Sequence, residues 1–310
     1  MKRMTTQLRG LIAKGPTLYV PGCYSAMSAR VLEEAGFEAI YMSGYGTSLS
    51  LTGLPDVGLT TMTEMVANAR YIAQAVKIPL LADCDTGFGN AINVMRTMRE
   101  YIAAGVAGVH MEDQVSPKRC GHVAGRLVIS FEEAVGKVRA AVDAKNGIDP
   151  DFVIVARTDA RGAHGGSLDE AIKRANSFLG AGADLAFIEG PTSADEVKRI
   201  CREVKGPVFY NMTGVSPRFT VEEMRAMGIA MCISPNPLLR AALAAMHDLA
   251  KELKAEGPAA ETRFNARFKD HPLGDLHTFA GFDQVRTWER EYLGEEAMKK
   301  YAGSVGHVPR

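Results

Sequence analysis

A short phrase recurs along this chain and restricts its fold more than any other feature: AGFEAIYMS, AGVAGVHME, AGADLAFIE and a shortened copy, MGIAMCIS. Each copy starts at a glycine (Gly36, Gly105, Gly182, Gly228) and runs through apolar residues to Ser43, Glu112, Glu189 or Ser234. A glycine that closes an amphipathic stretch is the left-handed residue that stops a helix. The apolar run behind it is then a buried strand. Strand-type runs are expected at Thr17–Val20, Ala39–Ser43, Leu80–Asp83, Gly108–Glu112, Val153–Arg157, Leu185–Glu189, Val208–Asn211 and Ala230–Ser234. Helical stretches follow each of them, around Ser25–Ala35, Thr61–Val76, Ala91–Ala104, Phe131–Ala144, Leu168–Leu179, Ser193–Val204, Val221–Met227 and Leu238–Lys254. Alternation of this kind means parallel strands with right-handed crossovers. The repeat falls on strands two, four, six and eight, so a βαβα unit occurs four times, as a (β/α)8 TIM barrel requires. A doubly wound open sheet is the alternative, because strand count does not prove closure.

Residues 1–256 are therefore expected to form the barrel and residues 257–310 a helical extension. Beyond Glu256-Gly257-Pro258 the pattern turns polar with scattered aromatics, with helical segments at Thr262–Lys269 and Phe282–Leu293. Phe264, Phe268, Phe279, Phe282, Trp288 and Tyr292 need burial, which predicts packing on the barrel or on a neighbouring subunit. The charge balance, 36 basic against 36 acidic residues, leaves no field for nucleic acid or an anionic membrane and points to a small-molecule partner. The N-terminus lacks the apolar core of a signal peptide, and no stretch is long enough to span a membrane. Five widely spaced cysteines without a CxxC pair argue against a disulfide framework and for a reducing cytoplasm.

In a barrel of this kind the chemistry sits at the C-terminal strand ends. Asp83 and Asp85 lie in LLADCDTGFGN, where strand alternation puts both carboxylates on one face and Cys84 on the other. Hard oxygen donors with no His or Cys beside them favour Mg2+ or Mn2+ over zinc; a solvated turn is the alternative. Glu112, Arg157, Glu189 and Asn211 finish the next strands and converge on the same mouth. The long connection from Asp113 to Ser130 carries PKRCGH and reads as a lid. A thiol between Lys118, Arg119 and His122 is expected to have a lowered pKa, which makes Cys120 a candidate for proton exchange. Tyr41-Met42-Ser43-Gly44-Tyr45-Gly46 is either a glycine turn whose N–H groups reach a carboxylate or an ordinary loop. Asp56 in GLPDVG is either a ligand-side carboxylate or a turn residue.

VPGCYSAMSARVLEEAGFEAIYMSG, GLPDVGLTT, DCDTGFGN, MEDQVSPKRCGH, ARTDAR, IEGP and NMTG, in this order over residues 15–255, resemble the isocitrate lyase/phosphoenolpyruvate mutase superfamily. The similarity is to the branch of methylisocitrate lyase, dimethylmalate lyase and petal-death-type oxaloacetate hydrolase. It implies a (β/α)8 barrel, Mg2+ dependence, a gated loop at KRCGH, and a homotetramer of paired subunits that exchange a C-terminal helix. Carried over by position, Ser43, Gly44 and Tyr45 would hold a substrate carboxylate. Asp83 and Asp85 would hold the metal, with Glu112 behind it, largely through water. Cys120 and Gly121 would lie on the lid. Arg157, Glu189, Asn211 and Arg240 would contact substrate, with Asp56 and His122 completing that set, and Tyr41 matches a tyrosine proposed in lyases as a base. The implied reaction is retro-aldol cleavage of a 2-hydroxy acid, with Cys120 protonating the departing fragment. Oxaloacetate hydrolysis or decarboxylation, phosphonate formation, and dicarboxylate binding without turnover are the competing readings. After Asn211-Met212-Thr213 this chain has Gly-Val-Ser-Pro-Arg-Phe where several relatives carry a Glu-containing stretch. Tyr45 stands where methylisocitrate lyases have glycine and would narrow the pocket, which suggests a smaller, substituted malate-like acid.

Overall fold

The computed structural model describes residues 3–15, 17–269 and 271–309. Eight strands, β1 (Leu18–Cys23), β2 (Ile40–Met42), β3 (Leu80–Asp83), β4 (Gly108–Glu112), β5 (Val153–Thr158), β6 (Leu185–Ile188), β7 (Val208–Asn211) and β8 (Ile229–Ser234), follow one another around a closed barrel. Every neighbouring pair is parallel, including β1 with β8, which settles closure against the open sheet. The repeated glycines act as expected: Gly36, Gly105, Gly182 and Gly228 follow helices with φ between 82° and 102°, where other residues are strained.

The strands alternate two burial environments. Val20, Tyr41, Leu81, Val153, Val155, Leu185, Phe187, Phe209, Met231 and Ile233 fill the interior with Leu8, which comes from a helix at Met4–Lys14. Ile40, Met42, Ala82, Val109, Met111, Ile154 and Ala156 pack outward against the surrounding helices. One more step along each inward series reaches a polar residue: Asp83 after Leu81, Arg157 after Val155, Glu189 after Phe187 and Asn211 after Phe209. That parity aims the polar side chains at one mouth.

Three local expectations change. The helix at Met4–Lys14 was not foreseen. The glycine segment after β2 is neither a turn nor a loop: Ser43 caps a helix, Gly44–Thr52, by accepting a hydrogen bond from Gly46 N–H. Asp85 does not continue β3, which ends at Asp83; the chain turns there with Asp85 at φ 48°.

The chain divides into two compact units at Ala241/Ala242, inside the helix Pro237–Glu256. The second unit contains helices Pro258–Phe268, Leu276–Ala280, Phe282–Leu293 and Glu295–Met298. Among the described residues no helix is long and apolar enough to cross a membrane.

Candidate active site

At the C-terminal strand ends lies a cavity lined by Tyr41, Ser43, Tyr45, Asp56, Asp83, Glu112, Lys118, Cys120, Gly121, His122, Arg157, Glu189, Asn211, Thr213, Ile233, Pro235 and Asn236. Twelve of the fifteen residues singled out from the sequence are in this lining. Gly44 and Asp85 lie directly behind it: Gly44 N–H donates to Asp83 Oδ2 (3.2 Å), and Asp85 N–H donates to Asp83 Oδ1 (2.9 Å). Arg240 is not brought to the cavity, because its helix leaves it exposed.

The loop is closed over this mouth. Lys118 reaches inward, its ammonium 2.5 Å from Asp56 Oδ1 and 2.7 Å from Asp85 Oδ1. Cys120 N–H donates to the Asp56 carbonyl (3.1 Å), and His122 Nε2 approaches Asn211 Nδ2 (3.4 Å) and Glu189 Oε1 (3.7 Å). The Gln114 side chain staples the loop base by accepting from Arg119 N–H (3.0 Å) and donating to its carbonyl (2.8 Å).

This placement overturns the expected acidity of Cys120. Burial is the main reason its thiol is pushed above the ordinary cysteine range, and the Asp56 charge adds to it, while Arg157 and Lys118 pull the other way without prevailing. The Lys118 ammonium is spent on two carboxylates. Cys120 is therefore a protonated thiol at neutral pH, an acid and not a thiolate. Cys23, Cys84 and Cys232 are buried, as expected of core thiols, and Cys201 is half-buried.

Arg157 is held rigidly. Its Nε and Nη2 donate to Asp159 Oδ2 and Oδ1 (2.9 and 3.0 Å), and its Nη1 lies 3.2 Å from Glu112 Oε2 and 3.4 Å from Glu189 Oε2. Asp159 N–H in turn donates to Asp113 Oδ1 (2.9 Å), and Asp113 also holds Thr158 and Arg174. On the far side the Phe187 ring lies 5.1 Å from the guanidinium carbon.

The carboxylates can be tested as a cation site on their own chemistry. Asp56, Asp83, Asp85, Glu112 and Glu189 are all buried, against the two buried cations Lys118 and Arg157 of the same cavity. Without a further positive charge burial pushes Asp85 up to about 6 and Glu112 well above the carboxylate range. Glu112 Oε1 is buried with no hydrogen-bond partner among the described residues. The upward shifts of Asp85 and Glu112 and an orphaned oxygen mark a site short of positive charge, and Asp83, Asp85 and Glu112 offer only hard oxygen donors. These residues fit Mg2+ or Mn2+.

His110 was missed by the sequence reading and corrects the expectation that no histidine lies beside Asp83. It sits on β4 with the same inward parity as Glu112, its Nε2 3.2 Å from Asp83 Oδ1 but not aligned as a hydrogen bond. Its Nδ1 is 3.2 Å from the Tyr41 hydroxyl, whose single proton can go either there or to Asp83 Oδ2 (3.3 Å). Burial lowers the pKa of His110, which favours the neutral ring, and in the tautomer protonated at Nε2 its Nδ1 can accept. Burial and the Asp83 charge hold the Tyr41 phenol well above its usual range. Asn236, also unforeseen, accepts from the Ser43 hydroxyl (3.0 Å) on the cavity wall.

Residues 8–254 match the family model described as phosphoenolpyruvate phosphomutase. The chain is 44% identical over 288 residues to a 2,3-dimethylmalate lyase of Eubacterium barkeri, covering 92% of this chain and 97% of that one. A crystal structure of 2,3-dimethylmalate lyase matches with a TM-score of 0.88 at 35% identity, covering 99% of this chain and 100% of that one. Identity to a 2-methylisocitrate lyase of Aeropyrum pernix is 42% over 259 residues, 83% of this chain and 82% of that one. A phosphonopyruvate hydrolase in complex with oxalate and Mg2+ matches with a TM-score of 0.83 at 30% identity, covering 94% and 100% respectively.

Proposed function

This chain belongs to the phosphoenolpyruvate mutase/isocitrate lyase superfamily, and from that premise we propose how its site works. The protein is a carbon–carbon lyase that cleaves a 2-hydroxy di- or tricarboxylate, of alkylmalate or methylisocitrate type, to a 2-oxo acid and a second carboxylate. The observation that carries the reading is the closed loop, which brings the half-buried Cys120 thiol into the lining of a cavity that also holds Arg157 and the carboxylates.

Asp83, Asp85 and Glu112 would hold Mg2+, or Mn2+ in its place. When bound, the ion supplies positive charge that lowers the cost of an alkoxide at the substrate hydroxyl. Arg157, unable to swing because Asp159 grips it, binds the adjoining carboxylate. Ser43, Gly44 and Tyr45 open the helix Gly44–Thr52 at the mouth, where its N-terminus favours a second anionic group. Tyr41 takes the hydroxyl proton while passing its own to His110 Nδ1, so no buried phenolate accumulates. The electron pair left on the hydroxyl oxygen forms the C=O bond of the 2-oxo acid as the C2–C3 bond breaks, and the C2–C3 pair moves to the carbon beside the second carboxylate. Cys120 gives its proton to that carbon. Gly121, His122, Glu189 and Asn211 wall off the distal part of the substrate, and the closed loop excludes water from the carbanion. Asp56 acts on the loop, through Lys118 and the Cys120 amide, more than on the substrate.

The decisive experiment measures 2-oxo acid release from 2-alkylmalates, methylisocitrate and oxaloacetate, with Mg2+ and with EDTA. Cleavage of an alkylmalate or methylisocitrate that EDTA abolishes is expected; turnover of oxaloacetate alone would overturn the lyase reading.

The proposal extends to assembly. Residues 257–310 would pack on a partner in a homotetramer of helix-exchanging dimers, supported by exposed Leu276, Phe282, Trp288, Tyr292 and Leu293. A monomer in sedimentation equilibrium would overturn it. Five free cysteines suit a reducing, cytoplasmic setting.

A further inference from the structure

Between the lid and the arginine anchor stands a residue with no part so far. Arg126, on the returning limb of the loop, is buried, and its Nη1 donates both to the Gly121 carbonyl on the lid and to Asp159 Oδ1 (2.9 Å). Asp159 is the carboxylate that grips Arg157 through two further bonds. Gly121 itself seats directly on Arg157, since a Cβ there would fall 2.2 Å from Arg157 Nη2. The four residues thus close a ring of contacts: lid backbone, Arg126, Asp159, Arg157, and lid backbone again.

The surroundings keep this place open for a guanidinium. A Cβ on Gly162 would lie 2.0 Å from Arg126 Nη2, so any side chain at 162 would evict it. The Arg126 carbonyl accepts from His164 N–H (3.1 Å), which fixes the backbone from which the side chain reaches.

We propose that Arg126 is a positioning residue, a latch that fastens the closed lid to the Asp159–Arg157 pair and so fixes Cys120 over the reacting carbon. The inference rests on the lid reading given above. One shared carboxylate gives the latch its specificity: Asp159 is held in place by Arg157 and the Asp113 network, so the lid docks only where the anchor is correctly set. A guanidinium is suited to the task because one planar group can serve a carbonyl and a carboxylate together. Loss of the latch leaves Arg157 with both its bonds to Asp159. Substrate binding therefore survives while closure fails, and the defect falls on kcat.

The test compares Arg126→Met, Arg126→Lys and a control, Arg161→Ala, whose guanidinium pairs with Glu196 away from the cavity. Hydrogen exchange is followed in the substrate-free protein over residues 115–128 and 153–159, beside kcat and KM for the best substrate. Arg126→Met is expected to exchange at least tenfold faster over 115–128 with 153–159 still protected. Its kcat should drop 10- to 100-fold with KM within threefold, and Arg126→Lys should recover part of both. Wild-type exchange and kcat in Arg126→Met would overturn the proposal. So would faster exchange over both segments with no recovery in Arg126→Lys, the signature of a merely structural arginine. The exchange arm needs no substrate, so failure of the latch and failure of the lyase reading give different results.

Discussion

Gly121→Ala tests the closed site with a single methyl group. In the closed lid that methyl carbon would fall 2.2 Å from Arg157 Nη2 and 2.8 Å from Glu189 Cγ. Ordinary contact begins at about 3.5 Å, so one partner must move by about 1.3 Å. Arg157 cannot yield without breaking its two bonds to Asp159, and Glu189 is held by Asn211 Nδ2 (3.0 Å) and Gly190 N–H (2.8 Å). The lid must therefore lift, carrying Cys120 with it. A displacement of about 1 Å at a reacting group costs on the order of 100-fold, or about 2.7 kcal/mol of transition-state stabilisation. Gly121 is not among the positive-φ glycines, so alanine brings no backbone strain and the fold should be spared. The assay is kcat/KM for 2-oxo acid release, with thermal unfolding as control. Expected is a loss of about 100-fold at unchanged Tm, with faster hydrogen exchange over residues 115–128. Activity within threefold of wild type would refute the contact between lid and anchor, and with it the claim that the lid works closed on Arg157.

Cys120→Ser should lower kcat by about 10²- to 10⁴-fold, the usual worth of a positioned general acid. Because the thiol must be protonated to act and its pKa is raised above the ordinary cysteine range, the fall of kcat at alkaline pH should be centred above that range. A wild-type rate in the serine variant, or a fall centred below pH 8, would remove Cys120 as proton donor. Asp85 gives a stability test: its folded pKa, raised from 3.8 to about 6, lies above the unfolded value, so its protonated form stabilises the fold and that contribution is lost as pH rises from about 4 to 6. Two units are worth about 3 kcal/mol, so Mg2+ should raise Tm more at pH 7.5 than at pH 5; an equal rise at both would exclude Asp85 from the metal site. Gly214→Ala would set a methyl carbon 2.1 Å from His122 Nδ1 and should change the ratio of kcat/KM between malates with large and small C3 substituents, whereas a uniform loss would mean the loop 213–219 does not touch specificity.

Much of the architecture was legible because parallel strands buried on both faces leave a strong apolar signature. The runs at Leu80–Asp83, Gly108–Glu112 and Val208–Asn211 match the observed strands residue for residue. Strand ends also gave the site, since the inward series ending at Arg157, Glu189 and Asn211 can be counted from sequence alone. The signal for His110 is present in the sequence: two residues before Glu112, it shares that residue's inward face. Asp85 and Cys120 are different. Alternation says nothing once a chain turns left-handed, as at Asp85, and the charges flanking Cys120 in sequence are not its neighbours in space. Lys118 looked like a cation for the thiol, but it folds inward to Asp56 and Asp85, leaving burial to set the thiol's acidity. The latch at Arg126 could not be read at all, because its partners Gly121 and Asp159 are joined to it only by closure of the lid.

That misreading of Lys118 explains how the work is divided in the site. In the proposed mechanism the strand ends supply the fixed groups, Asp83 and Glu112 toward a cation and Arg157 toward a carboxylate, with barrel partners Tyr41 and Gly44 for Asp83, Arg157 for Glu112 and Asp159 for Arg157. The loop would supply the rest on closing: a cation for Asp56 and Asp85, the proposed acid at Cys120 and the backbone at Gly121 that would shut out water. Lys118 makes this arrival electrostatic, since five buried carboxylates favour any positive charge brought among them. On the proposed reading, closure over an acidic mouth would be driven partly by the same charge excess that would recruit the metal. A chain with equal numbers of acidic and basic residues can build such a site only by segregating them. Here Asp83, Glu112 and Glu189 stand at the strand ends beside Arg157, and the second cation, Lys118, comes from the loop.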